Sequence, residues 1–210
     1  NSRKTSVVLG SHETVLWGKG YIEDSLCGCV FRISARSFYQ VNPVQAEAIY
    51  RKVRELAALT GEETVIDAYC GIGTIGMILS GGAREVTGIE NNPEAVRDAC
   101  RNAERNGINN IHFLKGDAGE YLHAMVSRGE KADVLLMDPP RTGASRQFLR
   151  AAVGMNPKKI VYVSCDLETL ARDLRFLTGH GYRMESAWPV DQFVFTDHVE
   201  TVVLMSRADR

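Results

Sequence analysis

From Thr64 onward, short β-branched apolar runs alternate with stretches of helical character. TVIDAY at 64–69, EVTGIE at 85–90, NIHFLK at 110–115, ADVLLMD at 132–138 and KKIVYVS at 158–164 are the candidate strands. Their alternation with helix-like segments predicts an α/β protein in which helices cover both faces of a parallel sheet. Asn92 and Pro93 supply a cap and a first-turn proline for a helix running to about Asn106, and Gly107 ends it. In LETLARDLRFL, Leu167, Leu170, Leu174 and Leu177 recur at helical spacing. Beyond them AWPV and TVVLM suggest a terminal strand pair, antiparallel at the sheet edge.

Residues 1–38 read differently, because VVLGS, TVLWGKG and CVFRIS are β-rich and turn-rich with no helical period. They predict a separate β layer or the stub of a preceding domain. Asn42 then caps a helix opening on Pro43, with Gln45 at the return position of a capping box and apolar residues at 46, 49, 53 and 56 forming its buried stripe.

At 210 residues and 44% hydrophobic, the chain has the length for one main domain and an appendage. It contains no run of about 18 apolar residues, and NSRKTSVVLG lacks the apolar stretch of a secretory signal, so no membrane span and a cytoplasmic location are expected. Starting on Asn rather than Met, it reads as a fragment of a longer protein. Cys27, Cys29, Cys70, Cys100 and Cys165 form an odd set with no repeated CxxC pair, which argues against a disulfide framework and against a metal site. With a formal net charge of -1, a polyanion would have to be met by a local patch.

The strand VIDAYC runs into Gly71, Gly73 and Gly76, a GxGxxG spacing that permits a tight turn and close backbone approach to a ligand at a helix N-terminus. Glu90 ends the next strand at the distance where an acid accepts both hydroxyls of a ribose. These features suit NAD and S-adenosylmethionine equally. The carboxylates tip the balance toward S-adenosylmethionine: Asp67 could face a cationic amino acid moiety, Asp117 an adenine amino group, and a pyrophosphate is a poor guest beside them. Both aspartates could instead be helix caps or turn residues.

In an open α/β sheet, ligands bind beyond the carboxyl ends of the strands, where Asp138-Pro139-Pro140-Arg141 and Ser164-Cys165-Asp166 both fall. The two prolines stiffen a loop suited to holding a planar base. Cys165 lies between a buried strand and a helix start, so helix-terminal amides are expected to favour its thiolate, as in a nucleophile.

FYQVNP at 38–43, DAYCGIGTIG at 67–76, GIENNPEAV at 88–96, DPPRTG at 138–143, SCDLETLARDL at 164–174 and HVETVVLM at 198–205 together resemble the ordered motifs of RNA uracil-5-methyltransferases. The likeness covers roughly residues 30–205. It implies a Rossmann-like class I methyltransferase fold with a seven-stranded, mostly parallel central sheet over 39–210, after the β-rich segment of 1–38. It also implies methyl transfer from S-adenosylmethionine to carbon 5 of a uridine, ribosomal RNA ahead of transfer RNA, through a covalent adduct of Cys165 with carbon 6. By similarity Glu200 is the base that removes the carbon 5 proton, and Gln40, Tyr69, Glu90 and Asp138 hold the cofactor with the Gly71 and Gly73 loop, Asp117 being an addition. Asp166 stands where the family often has Asn, and the N-terminal RNA-binding domain and iron–sulfur segment of some members are not in this sequence.

The target uracil must leave its stack or lie in a single-stranded loop. Arg141, Arg146, Arg150, Lys158, Lys159, Arg172 and Arg175 are candidate phosphate contacts, and Phe38 and Tyr39 candidate stacking partners. Two other readings stay open. DPPR loosely resembles the Asp/Asn-Pro-Pro-aromatic motif of enzymes that methylate exocyclic base nitrogens, and a fragment could bind cofactor without turnover. The Pro-Cys motif of cysteine-dependent 5-methylcytosine enzymes is absent.

Overall fold

In a computed structural model that describes residues 13–208, the chain opens with a hairpin of β1 (Tyr21–Leu26) and β2 (Cys29–Ser34). Cys27 and Gly28 form its two-residue turn with φ of 51° and 85°, the positive values such tight hairpins require. VVLGS lies outside the described residues. TVLWGKG, expected to be β-rich, forms no strand, because Gly18 and Gly20 take φ of 82° and 71° and break the extended run.

The order continues α1 (Pro43–Ala57), β3 (Thr64–Ala68), α2 (Thr74–Ser80), β4 (Glu85–Glu90), α3 (Pro93–Arg105), β5 (Ile111–Lys115), α4 (Ala118–Ser127), β6 (Val134–Met137), α5 (Arg146–Met155), β7 (Lys159–Ser164), α6 (Leu167–Thr178), β8 (Tyr182–Val190) and β9 (Glu200–Arg207). Helix starts follow their caps: Asn42 accepts from Gln45 N at 3.3 Å and Asn92 from Glu94 N at 2.9 Å. No described helix is long and apolar enough to cross a membrane.

Seven strands form one sheet in the order β5-β4-β3-β6-β7-β9-β8. From β5 to β7 every pair is parallel; β9 runs antiparallel to both β7 and β8. Apolar side chains fill both faces, which is why VLLM in β6 does not alternate with polar residues. Val134 and Leu136 pack with α1, α2 and α3, and Leu135 and Met137 with α4, α5 and α6.

The hairpin joins the first of these cores through Leu26, Phe31 and Ile33. Among the described residues its β2 edge is covered by side chains of α3 and its C-cap. Asp98 accepts from Ser34 N at 3.0 Å, Asn102 exchanges bonds of 2.7 and 3.1 Å with the Arg32 backbone, and Asn106 exchanges two of 2.8 Å with that of Val30. Four helical residues rise about 6 Å and two strand residues about 6.7 Å, so the periods match closely enough for three rungs.

Helix α6 ties the loop after β6 to the loop after β7. Asp173, fully buried, accepts from Ala144 N and the Tyr162 hydroxyl, each at 2.8 Å, and pairs with Arg172 at 2.8 Å. Arg172 also donates to the carbonyls of Thr142 and Ala144 at 3.1 Å, and Thr169 to that of Arg141 at 3.2 Å. A Cβ at Gly143 would stand 2.5 Å from the Arg172 guanidinium, so the loop needs glycine there. Asp173→Ala strands two buried donors and is expected to cost about 3 kcal/mol in urea unfolding, against about 1 kcal/mol for Tyr162→Phe. Equal losses for the two variants would mean that the loop bonds contribute nothing.

Candidate active site

The strand order reverses direction between β3 and β6, and the crevice there opens at the carboxyl ends of the strands. Tyr69, Gly71 and Gly73 follow β3 with φ of 65°, 56° and 83°, a run of left-handed residues that turns the chain sharply into α2. Gly73 is pressed close, since a Cβ there would stand 2.6 Å from the Phe113 ring. Gly76 N donates to Asp67 at 2.8 Å, so Asp67 anchors α2, one of the two uses the sequence allowed it. Burial pushes its carboxyl up to about 7; the Gly76 amide opposes the shift and Glu90 adds to it.

The cleft beside this loop is lined by Phe38, Gln40, Tyr50, Tyr69, Thr74 and Asp138, among others. Four residues expected at a cofactor, Gln40, Tyr69, Gly71 and Asp138, therefore meet on one wall. Glu90 stands at the end of β4, where its carboxylate accepts from Gly71 N at 3.1 Å and Asn92 N at 2.6 Å. Asp117 is exposed and caps α4 by accepting from Glu120 N at 3.0 Å. Burial, then Glu200, then Asp67 raise the Asp138 carboxyl well above the ordinary range.

Cys165, half-buried, follows β7, and Glu200, buried, begins β9. Because the two strands are antiparallel with Ser164 opposite Thr201, these residues come to the same end of the sheet. The helix start does not yield the expected thiolate bias. Burial first, then the Glu200 and Asp138 carboxylates, push the Cys165 thiol up, and its own amide and Arg141 only partly offset them. Asp166, next in the chain, caps α6 by accepting from Thr169 N at 2.9 Å. Arg141 lies over Asp166 at 3.5 Å and reaches His198 at 3.4 Å.

The basic candidates divide by position. Arg141, Arg146 and Arg150 are exposed near the loop after β6. Lys158 and Lys159 sit at the opposite end of β7, where Lys158 pairs with Asp133 at 3.0 Å and Lys159 donates to the Ala57 carbonyl at 2.8 Å. Nearness in sequence misleads there because a strand separates its two ends by its full length. Arg172 is committed to the loop, and Arg175 lies in the last turn of α6. Phe38 and Tyr39 both line the cleft, Phe38 exposed and Tyr39 also packed on Phe31 with ring centroids 6.3 Å apart. Sequence reasoning missed Tyr50 and Thr74, which line the cleft, and Gln192, which touches Gln40. Thr74 sits inside the glycine motif; Tyr50 reads as one more stripe residue of α1 and Gln192 as loop.

Residues 11–208 match the family model described as tRNA (Uracil-5-)-methyltransferase. The chain is 49% identical over 207 residues to an uncharacterized RNA methyltransferase of Caldanaerobacter subterraneus, covering 99% of this chain and 46% of that protein. It is 46% identical over 210 residues to one of Clostridium acetobutylicum, covering 100% and 46%. It thus spans about half the length of the curated relatives it matches. Among solved structures, the Pyrococcus abyssi tRNA (uracil-54, C5)-methyltransferase in complex with S-adenosyl-L-homocysteine superposes with a TM-score of 0.81 at 34% identity, over 98% of this chain and 49% of that one. With the seven-stranded Rossmann-like fold of class I methyltransferases and this match along nearly its whole length, the chain belongs to the tRNA (uracil-5-)-methyltransferase family.

Proposed function

We propose that this chain is the catalytic part of an S-adenosylmethionine-dependent enzyme, acting in the cytoplasm, that methylates carbon 5 of a uridine in RNA. The observation that carries the reading is that Cys165 and Glu200 come to the same end of the sheet just beyond the last β7–β9 pair, with Cys165 within electrostatic reach of Glu200 and of Asp138 in the cleft. S-adenosylmethionine, when bound, supplies an electrophilic methyl group on a sulfonium. The donor set suits it: Glu90 offers acceptors for ribose hydroxyls, the exposed Asp117 keeps one carboxylate oxygen beyond its cap of α4 for an amino group, and Asp138 in the cleft suits a cationic ligand.

Carbon 5 of uracil is a poor nucleophile until carbon 6 gains a substituent. Cys165 Sγ, having lost its proton to solvent, adds to carbon 6; the C5–C6 π pair becomes an enolate on O4, and carbon 5 takes the methyl group as its bond to the sulfonium breaks, with that bonding pair left on the donor sulfur as a neutral thioether. Glu200 accepts the carbon 5 proton, and the re-formed enolate expels the thiolate and restores the double bond. Because Glu200 and Asp138 raise the thiol, a positive charge bound in the same cleft lowers it again, which couples thiolate formation to cofactor binding. The base reaches the sulfur only when flipped from its stack, with Arg141, Arg146 and Arg150 available to the phosphates and Phe38 to a base face.

The family resemblance puts ribosomal RNA first as substrate; the names of the family model and of the Pyrococcus abyssi enzyme favour transfer RNA as the second reading. Mass mapping of 5-methyluridine in both RNAs from a strain lacking the intact protein separates them. The same mapping tests the exocyclic-nitrogen alternative, for which Cys165 would be dispensable.

Cys165→Ala is expected to abolish methylation and trapping by 5-fluorouridine RNA; a variant that still makes 5-methyluridine would remove the covalent mechanism. Glu200→Gln should lower turnover by roughly 100-fold or more while a methylated RNA–protein adduct accumulates on denaturing gels. Alkylation of Cys165 by iodoacetamide should rise with pH to a midpoint above the ordinary thiol value of about 8.5. S-adenosylmethionine should shift that midpoint down, and S-adenosylhomocysteine, lacking the sulfonium charge, should not.

A further inference from the structure

Gln192 lies just beyond β8, in the loop leading to Glu200, and only 2% of it is exposed. Its Nε2 donates to Oε1 of Gln40 at 3.0 Å, and Gln40 is itself buried. The Gln192 carbonyl accepts from the Asn42 side chain at 3.3 Å, so the cap of α1 pins the loop that carries it. Among the described residues its side-chain Oε1 has no partner. A buried amide that leaves an acceptor unsatisfied is costly, and the packing of an apolar residue would avoid the cost.

The bond fixes which end of Gln40 faces the cleft. With Oε1 occupied by Gln192, the group left to a ligand is the Gln40 NH2. Among the described residues lining that cleft, Gln40 has the only side-chain N–H donor; the others offer a carboxylate, hydroxyls, a thiol and apolar surface. S-adenosylmethionine, the ligand of the function proposed above and the premise of this step, presents mostly donors or positive charge: an ammonium, a sulfonium, ribose hydroxyls and an adenine amino group. Its carboxylate is the exception, an acceptor that an acidic wall repels and an amide NH2 satisfies.

We infer that Gln192 is a positioning residue that holds Gln40 with its NH2 toward the methionyl carboxylate of the cofactor. The inference is tested by calorimetric titration of the folded chain at pH 8 with S-adenosylhomocysteine and with 5′-methylthioadenosine, which keeps the nucleoside and sulfur but lacks the amino acid. Gln192→Glu, titrated also at higher pH so that its carboxylate is ionised, makes the neighbour an acceptor only, so Gln40 must turn its NH2 away from the cleft. Affinity for S-adenosylhomocysteine should fall on the order of tenfold or more, with that for methylthioadenosine unchanged. Gln192→Met, which fills the same space without a donor, should give a smaller loss confined to S-adenosylhomocysteine. In Gln40→Leu, which lacks the amide to be held, Gln192→Met should add no further loss. Equal weakening of both ligands, or full S-adenosylhomocysteine affinity in Gln192→Glu, overturns the inference. Failure of the unaltered chain to bind either ligand overturns the cofactor reading itself, and this step with it.

Discussion

The site depends on the reversal of one strand. Were β9 parallel to β7, its first residue would fall roughly 25 Å away, at the amino ends of the parallel strands. Laid antiparallel between β7 and β8, it brings Glu200 beside the chain that leaves β7 and delivers Cys165. The position demands burial on both faces. Val202 and Val203 supply it, packing into opposite cores, and Glu200 keeps its acid at the rim where the apolar layers end. The connection from β8 to β9 crosses that same rim, so Gln192, His198 and Glu200 are placed by one short passage of chain.

A second constraint is charge. Asp67, Glu90, Asp138 and Glu200 gather at one end of the sheet, and Arg141, itself exposed, is the cation that acts on Cys165. Burial raises Asp67, Asp138 and Glu200, so the folded chain holds protons that the unfolded chain releases. Their contribution to stability is present below the ordinary carboxylate range and is lost as pH rises through the folded values, about 7 for Asp67. Near neutral pH these carboxylates disfavour one another's charge, a repulsion that a cationic ligand relieves.

Much of the architecture was legible because local signals agreed with the global arrangement. The apolar runs for β3 to β7, the Asn-Pro starts of α1 and α3 and the leucines of α6 each carry one period and one stop signal. The hairpin was only half legible. CVFRIS reads as a strand, but YIEDSL is polar on the side away from the core, and TVLWGKG imitates a strand until its glycines turn. Position within the cleft was legible where a motif fixed it, as for Gly71 and Asp138. It was illegible for Tyr50 and Gln192, whose meaning comes from chain 19 and 152 residues distant, and for the Cys165 thiol, whose protonation depends on a carboxylate brought from another strand.

The ladder of Asp98, Asn102 and Asn106 along β2 has a kinetic consequence. A two-stranded ribbon is marginal alone in water, and this one finds its third member 64 to 76 residues later in the chain. At ordinary synthesis rates that interval lasts roughly ten seconds. Through it the β2 edge lacks the side chains that cover it in the folded chain, and an edge without them invites strand exchange with another nascent copy. The amide-bearing helix therefore closes a window of vulnerability as well as a core.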